Sequence, residues 1–176
     1  DAGELEAFLS QRYGFQTAFR RPDTLKGMID GVKIDCIAHK YAYLRQPYAE
    51  SGIRLYSIED IVAMKLSAIA DDGSRLKDFV DIACLSTRIP FYEMLKCYER
   101  KFPQANVIRP FKALTYFDDI DFGEDIVMLN FEYDWKQIAR RLKEMTVRQE
   151  HIFSQWPLKE QKRPVAEDKD CLLYTS

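Results

Sequence analysis

SIEDIVAMKLSAIADDGSRLKDFVDIACL, residues 57–85, holds two apolar-periodic segments joined by the polar turn Asp71-Asp72-Gly73-Ser74. On a helix of about 100° per residue, Ile58, Ile61, Val62, Leu66 and Ile69 share one stripe, the pattern of a helix packed on a core. Ser57 stands at the N-cap and Asp60 at N3, approximating a capping box. Lys65 falls inside the apolar stripe, nearly in line with Ile58, Val62 and Ile69. An ammonium in that position is costly unless an anion partners it. The second segment, residues 75–86, carries Asp78 and Asp81 roughly opposite Leu76, Phe79, Val80 and Ala83. The stretch therefore predicts a helix pair with one out-of-place cation near two carboxylates.

Upstream, the signals switch from helix to hairpin. Residues 4–13 read as a helix with Leu5, Phe8 and Leu9 inward, stopped at Gly14. A strand follows at 15–19 and a turn at Arg21-Pro22-Asp23. Residues 25–29 and 32–37 flank Asp30-Gly31, the chemistry of a two-residue hairpin turn. In VKIDCI, alternation puts Val32, Ile34 and Cys36 on one face and Lys33, Asp35 and Ile37 on the other. Asp35 is either a solvated charge or a carboxylate aimed into a cleft. Residues 39–52 read as a loop and 53–56 as a short strand.

Downstream, the expectation is mostly helical. Pro90 opens a helix over 91–102, residues 110–114 form another, and Asp134 caps a long amphipathic helix over 135–153. Its inner side is Ile138, Leu142, Met145 and Ile152, while Arg140, Arg141, Lys143 and Arg148 lie mostly outside. The acidic run at 118–125 lacks the spacing and closing glutamate of a calcium loop. From Pro157 the composition turns polar, which predicts disorder. The last six residues, CLLYTS at 171–176, read as translated sequencing adaptor, and both ends of the chain read as cut.

At 176 residues, the chain is long enough for one domain of ordinary size. A net charge of −2 supplies no strong field toward nucleic acid or an acidic membrane. No apolar run reaches the ~18 residues of a membrane span. Cys36, Cys84, Cys97 and Cys171 have neither CxxC pairing nor metal spacing with His39 or His151, and fit a reducing cytoplasm.

Lys65, Asp35, Asp78 and Asp81 are the chemically informative set. Carboxylates suit Mg²⁺ and a lysine suits phosphate. Together they point to phosphoryl or nucleotidyl transfer. Spacing alone leaves a structural ion pair between Lys65 and Asp78 or Asp81 equally open.

Four segments in order resemble the AbiEii/AbiGii toxin family of nucleotidyltransferases, in the DNA polymerase β-like superfamily. They are VKIDCI (32–37), GIRLYSIEDIVAMKLSAI (52–69), RLKDFVDI (75–82) and KALTYFDDIDF (112–122). The resemblance implies an α+β fold, a small mixed sheet packed by helices and followed by a helical C-terminal region. It divides the chain into a partial nucleotidyltransferase-like core at 1–88, a helical region at 89–156 and a tail at 157–176. It implies a bacterial toxin that transfers NMP from an NTP, in some members onto tRNA, with Mg²⁺ or Mn²⁺ and an antitoxin partner.

Residue by residue, Lys65 matches the family lysine thought to contact the triphosphate. Asp78 and Asp81 match its KDxxD-type motif, and Asp35 matches the third, metal-binding strand carboxylate. The first motif, a Gly-Ser or Gly-Gly followed by an Asp-x-Asp pair, is absent and is expected upstream of Asp1. On that expectation the 176-residue chain itself is inactive. The rival from another class is a catalytically dead binding module that keeps the fold and contacts an antitoxin-like partner.

Overall fold

A computed structural model describes residues 1–123, 126–128 and 130–160. The chain divides into two compact units, residues 1–41 and the chain from Ala42 onward.

The first unit is a helix and a three-stranded meander. Helix α1 (Ala2–Tyr13) starts on Asp1, whose side chain accepts from the Gly3 amide at 2.8 Å, and stops at Gly14 in the left-handed region (φ 66°). Strands β1 (Gln16–Arg21), β2 (Thr24–Ile29) and β3 (Val32–Ile37) pair antiparallel in sequence order. Asp30 and Gly31 both have positive φ, as a primed two-residue turn requires. The unit's buried side chains are Phe15 and Leu25. Gly27 makes room for Phe15: a Cβ on it would lie 2.4 Å from the Phe15 ring and 2.2 Å from the Gln16 carbonyl oxygen. The expected inner face of α1 is not sealed within this unit, since Leu5 and Phe8 are exposed.

The second unit opens with a hairpin of β4 (Tyr48–Glu50) and β5 (Ile53–Leu55), turning at Ser51-Gly52 with both φ positive. The sequence reading had only the second of these strands. Helices α2 (Ile58–Asp71), α3 (Leu76–Leu85), α4 (Phe91–Lys101) and α5 (Ile108–Ala113) follow. Strand β6 (Phe131–Tyr133), helix α6 (Trp135–Val147) and strand β7 (Leu158–Glu160) complete the unit. Helix α2 packs on α3, α4 and α5, and α3 packs on α6. Their shared core includes Val62 and Leu66 of α2, Phe79 and Ile82 of α3, Met94 and Tyr98 of α4, and Ile138 and Leu142 of α6.

The α+β class stands. Among the described residues the strands form three small antiparallel sheets rather than one mixed sheet, because the β1–β2, β2–β3 and β4–β5 connections are tight turns and parallel pairing needs a long crossover. Buried residues on both sides of position 88, such as Phe79 and Met94, share the α2–α6 core. Residues 158–160, expected at the head of a disordered tail, pair with β6; the rest of that tail, including 171–176, lies outside the described residues.

Helix α6 also ends earlier than its periodicity suggests, at Val147. There the chain folds back: the Tyr92 amide donates to the Gln149 carbonyl at 2.9 Å, and the Phe153 amide donates to the Ser86 carbonyl at 3.0 Å, burying Phe153. Ile152, expected inside, is exposed. No helix among the described residues is long and apolar enough to cross a membrane.

Candidate functional site

Helices α2 and α3 run into each other through Gly73, whose φ of +70° lets the chain reverse within a few residues. The reversal sets the middle of α2 beside the start of α3. Asp78 and Asp81 are three residues apart, so they project from the same side of α3. Lys65 reaches both. Its Nζ lies 2.7 Å from Asp78 Oδ1 and 2.6 Å from Asp81 Oδ2. The sequence set these three residues near one another, and the structure brings them together.

The three differ in exposure, and that difference defines the chemistry. The Asp78 side chain is 3% exposed, Lys65 27% and Asp81 47%. Asp78 was expected on the side of α3 away from its apolar residues. It is buried because α3 has neighbours on more than one side, α2 and α6, so Asp78 lies in the same shell as Leu76, Phe79 and Ile82. Its Oδ2 has no hydrogen-bond partner among the described residues, and Arg75 Nη1 lies 3.7 Å from it. Burial pushes against a charged Lys65, but hydrogen bonds and charge from Asp78 and Asp81 outweigh it and raise the ammonium's pKa. The group is therefore a permanent cation at neutral pH. An ammonium has three N–H donors. Two face carboxylates, which leaves one for an incoming acceptor on the open side.

A second lysine in the same unit shows what a purely structural pair looks like. Lys101 Nζ meets Asp60 Oδ1 at 2.6 Å, and neither side chain is exposed at all. Asp60 also accepts from the Leu44 amide (3.0 Å), the Arg45 amide (3.2 Å) and the Ser57 hydroxyl (2.7 Å), while Lys101 also donates to the Ala42 carbonyl (3.1 Å). Burial tends to raise the Asp60 pKa, yet the hydrogen bonds from Lys101, Leu44, Ser57 and Arg45 hold it down at about 2. This brace ties the loop before β4 to the N-terminus of α2 and the end of α4. Sequence reasoning recognised Asp60 only as a capping residue. The missed signal was Lys101 closing a helix next to buried Cys97 and Tyr98.

Asp35 sits on β3 in the first unit, opposite Lys26 in the β2–β3 register. Its Oδ2 is 3.6 Å from Lys26 Nζ and 3.9 Å from Lys33 Nζ. Two ammonium groups at that range compete with a divalent ion for the same oxygen. Among the described residues no three His, Cys, Asp or Glu side chains converge on a cation position. Asp35, Asp78 and Asp81, each already facing a cation, do not by themselves fit a divalent metal.

The sequence model of the nucleotidyl transferase AbiEii toxin family, of type IV toxin–antitoxin systems, matches residues 30–157. An uncharacterized protein of Aquifex aeolicus (strain VF5) is 29% identical over 129 residues, covering 71% of this chain and 61% of its own length. The chain thus spans less than two thirds of that relative. No solved structure matches it. The family match takes in Asp35, Lys65, Asp78 and Asp81 together with the whole α2–α6 core. The chain belongs to the AbiEii family of nucleotidyl transferase toxins.

Proposed function

We propose that the intact protein is a nucleotidyl transferase toxin that moves a nucleoside monophosphate from an NTP to an acceptor hydroxyl. The observation that carries this is the contrast between the two lysine sites. Lys101 is sealed and fully committed, whereas Lys65 is equally well anchored but open to solvent with a donor to spare. A pre-oriented, permanently charged ammonium suits a triphosphate, whose transfer depends mainly on positioning and charge neutralisation.

In this reading Lys65 binds a triphosphate oxygen. Buried Asp78 fixes the Lys65 side chain from below, and half-exposed Asp81 fixes it from the side or assists the acceptor hydroxyl. The acceptor hydroxyl gives up its proton to solvent as its oxygen attacks the α-phosphorus, the bond from that phosphorus to the oxygen bridging to the β-phosphate breaks, and pyrophosphate leaves. The family's chemistry implies Mg²⁺ or Mn²⁺, with Asp35 as one ligand. The present carboxylates do not fit that ion alone. The acceptor class is RNA, tRNA included, the setting is the cytoplasm, and an antitoxin protein is the regulatory partner.

The test is label transfer by the full-length protein from each α-labelled NTP onto total RNA. Labelled RNA with at least one NTP is expected. Absence of transfer with all four, from folded protein that still binds an antitoxin-like partner, would establish the inert binding module instead.

A further inference from the structure

Beside the Lys65 site lies a cleft of about 500 Å³ that the phosphate chemistry does not use. That size lies within the range of small-ligand pockets, ~300–1,000 Å³. Its floor is apolar, formed by Val80 of α3 and Leu158 of β7, and Asn130 and Asp81 supply polar edges. Asp81 is the same carboxylate that holds Lys65 at 2.6 Å, so the cleft and the ammonium site share that side chain. One wall carries two aromatic rings, Phe131 and Trp156, lying parallel within 10° at a centroid distance of 5.9 Å. Trp156 remains 54% exposed, leaving much of its indole surface open.

We propose that this cleft is the nucleobase site of the nucleotide whose triphosphate Lys65 receives. The inference rests on the phosphate reading of Lys65 and extends it to the other end of the ligand. An exposed flat ring beside an already stacked partner offers a stacking platform, which every base can use. The amide of Asn130 and the carboxylate of Asp81 present hydrogen-bonding groups at the cleft edge, where a base carries its own donors and acceptors. Continuity with the Lys65 site favours a nucleotide over an unrelated apolar ligand, since phosphate and base would be held by adjacent parts of one surface. The second tryptophan is no part of this cleft: Trp135 packs edge-on against Phe79, Phe117 and Phe122.

The experiment titrates the full-length protein with adenosine, guanosine, cytidine and uridine, and separately with inorganic tripolyphosphate. Tryptophan emission is compared between wild type and Trp156→Phe. At least one nucleoside is expected to change the emission, with the change gone in Trp156→Phe. Trp156→Ala is expected to weaken NTP binding about tenfold while tripolyphosphate binding stays the same. Nucleoside binding without tripolyphosphate binding supports the base cleft and counts against the Lys65 phosphate reading alone. The proposal is overturned if no nucleoside up to about 10 mM, a concentration that would detect even millimolar affinity, changes the Trp156 signal. It is also overturned if folded Trp156→Ala binds NTP as wild type does.

Discussion

Lys65 and Lys101 each meet an aspartate oxygen at about the same distance, 2.7 and 2.6 Å, and both lie in helices of the same core. What separates them is the cover. Lys101→Met would strand the fully buried Asp60 carboxylate, a change that typically costs about 3–5 kcal/mol; the expected outcome is a large drop in the thermal midpoint. Asp60 also sets an acid limit. Its folded pKa is held down from 3.8 to about 2, so the unfolded chain takes up that proton first as pH falls. The brace therefore contributes fully above pH 4 and is lost as the pH falls toward 2. Equilibrium unfolding over that range should show a steeper loss of stability in wild type than in Asp60→Asn. Asp81 stands at the other extreme, half exposed. Asp81→Asn should alter stability by no more than about 1 kcal/mol while reducing nucleotide transfer about tenfold, because Lys65 loses one of the two carboxylates that aim it.

At the scale of elements, local chemistry decided what could be read. Asp30-Gly31 and Gly14 need backbone conformations with positive φ, so the first hairpin and the end of α1 were legible from residue type. Ser51-Gly52 makes a similar turn, but its strands are only three residues long, too short for alternation to register. The face of α3 was misread because a helix buried on several sides has no single polar face, and Asp78 is the exception it carries inside. The end of α6 was illegible for a tertiary reason: its last turn is replaced by hydrogen bonds to Tyr92 and Ser86, residues remote in sequence. Gly27 gives the sharpest test at this scale. Gly27→Ala drives a methyl group into the Phe15 ring and the Gln16 carbonyl, an overpacking cost of about 1–3 kcal/mol or more. Amide hydrogen exchange should accelerate across β1, β2 and β3 while the α2–α6 helices keep their protection.

For the molecule as a whole, the candidate residues divide between the two compact units. The core from Ala42 onward positions Lys65, Asp78 and Asp81 and, beside them, the Phe131–Trp156 cleft. The first unit carries Asp35 between two lysines. The lysine cluster was legible because an ammonium in an apolar stripe demands a partner, and the next helix, α3, offered one 13 residues on. The Asp60–Lys101 brace was not, since its members are 41 residues apart and nothing local announces their meeting.

The proposed transfer chemistry rests on Lys65. Lys65→Met also removes the counter-charge of buried Asp78, so some loss of stability is expected, and circular dichroism at a temperature below the variant's midpoint must first confirm that it is folded. The decisive measurement is then transfer of labelled nucleotide by full-length wild type and folded Lys65→Met. A fall of about 10²–10³-fold, the usual effect of deleting one preorganised charge contact, is the expected result. Transfer at the wild-type rate by the folded variant would contradict the assignment of Lys65 to the triphosphate.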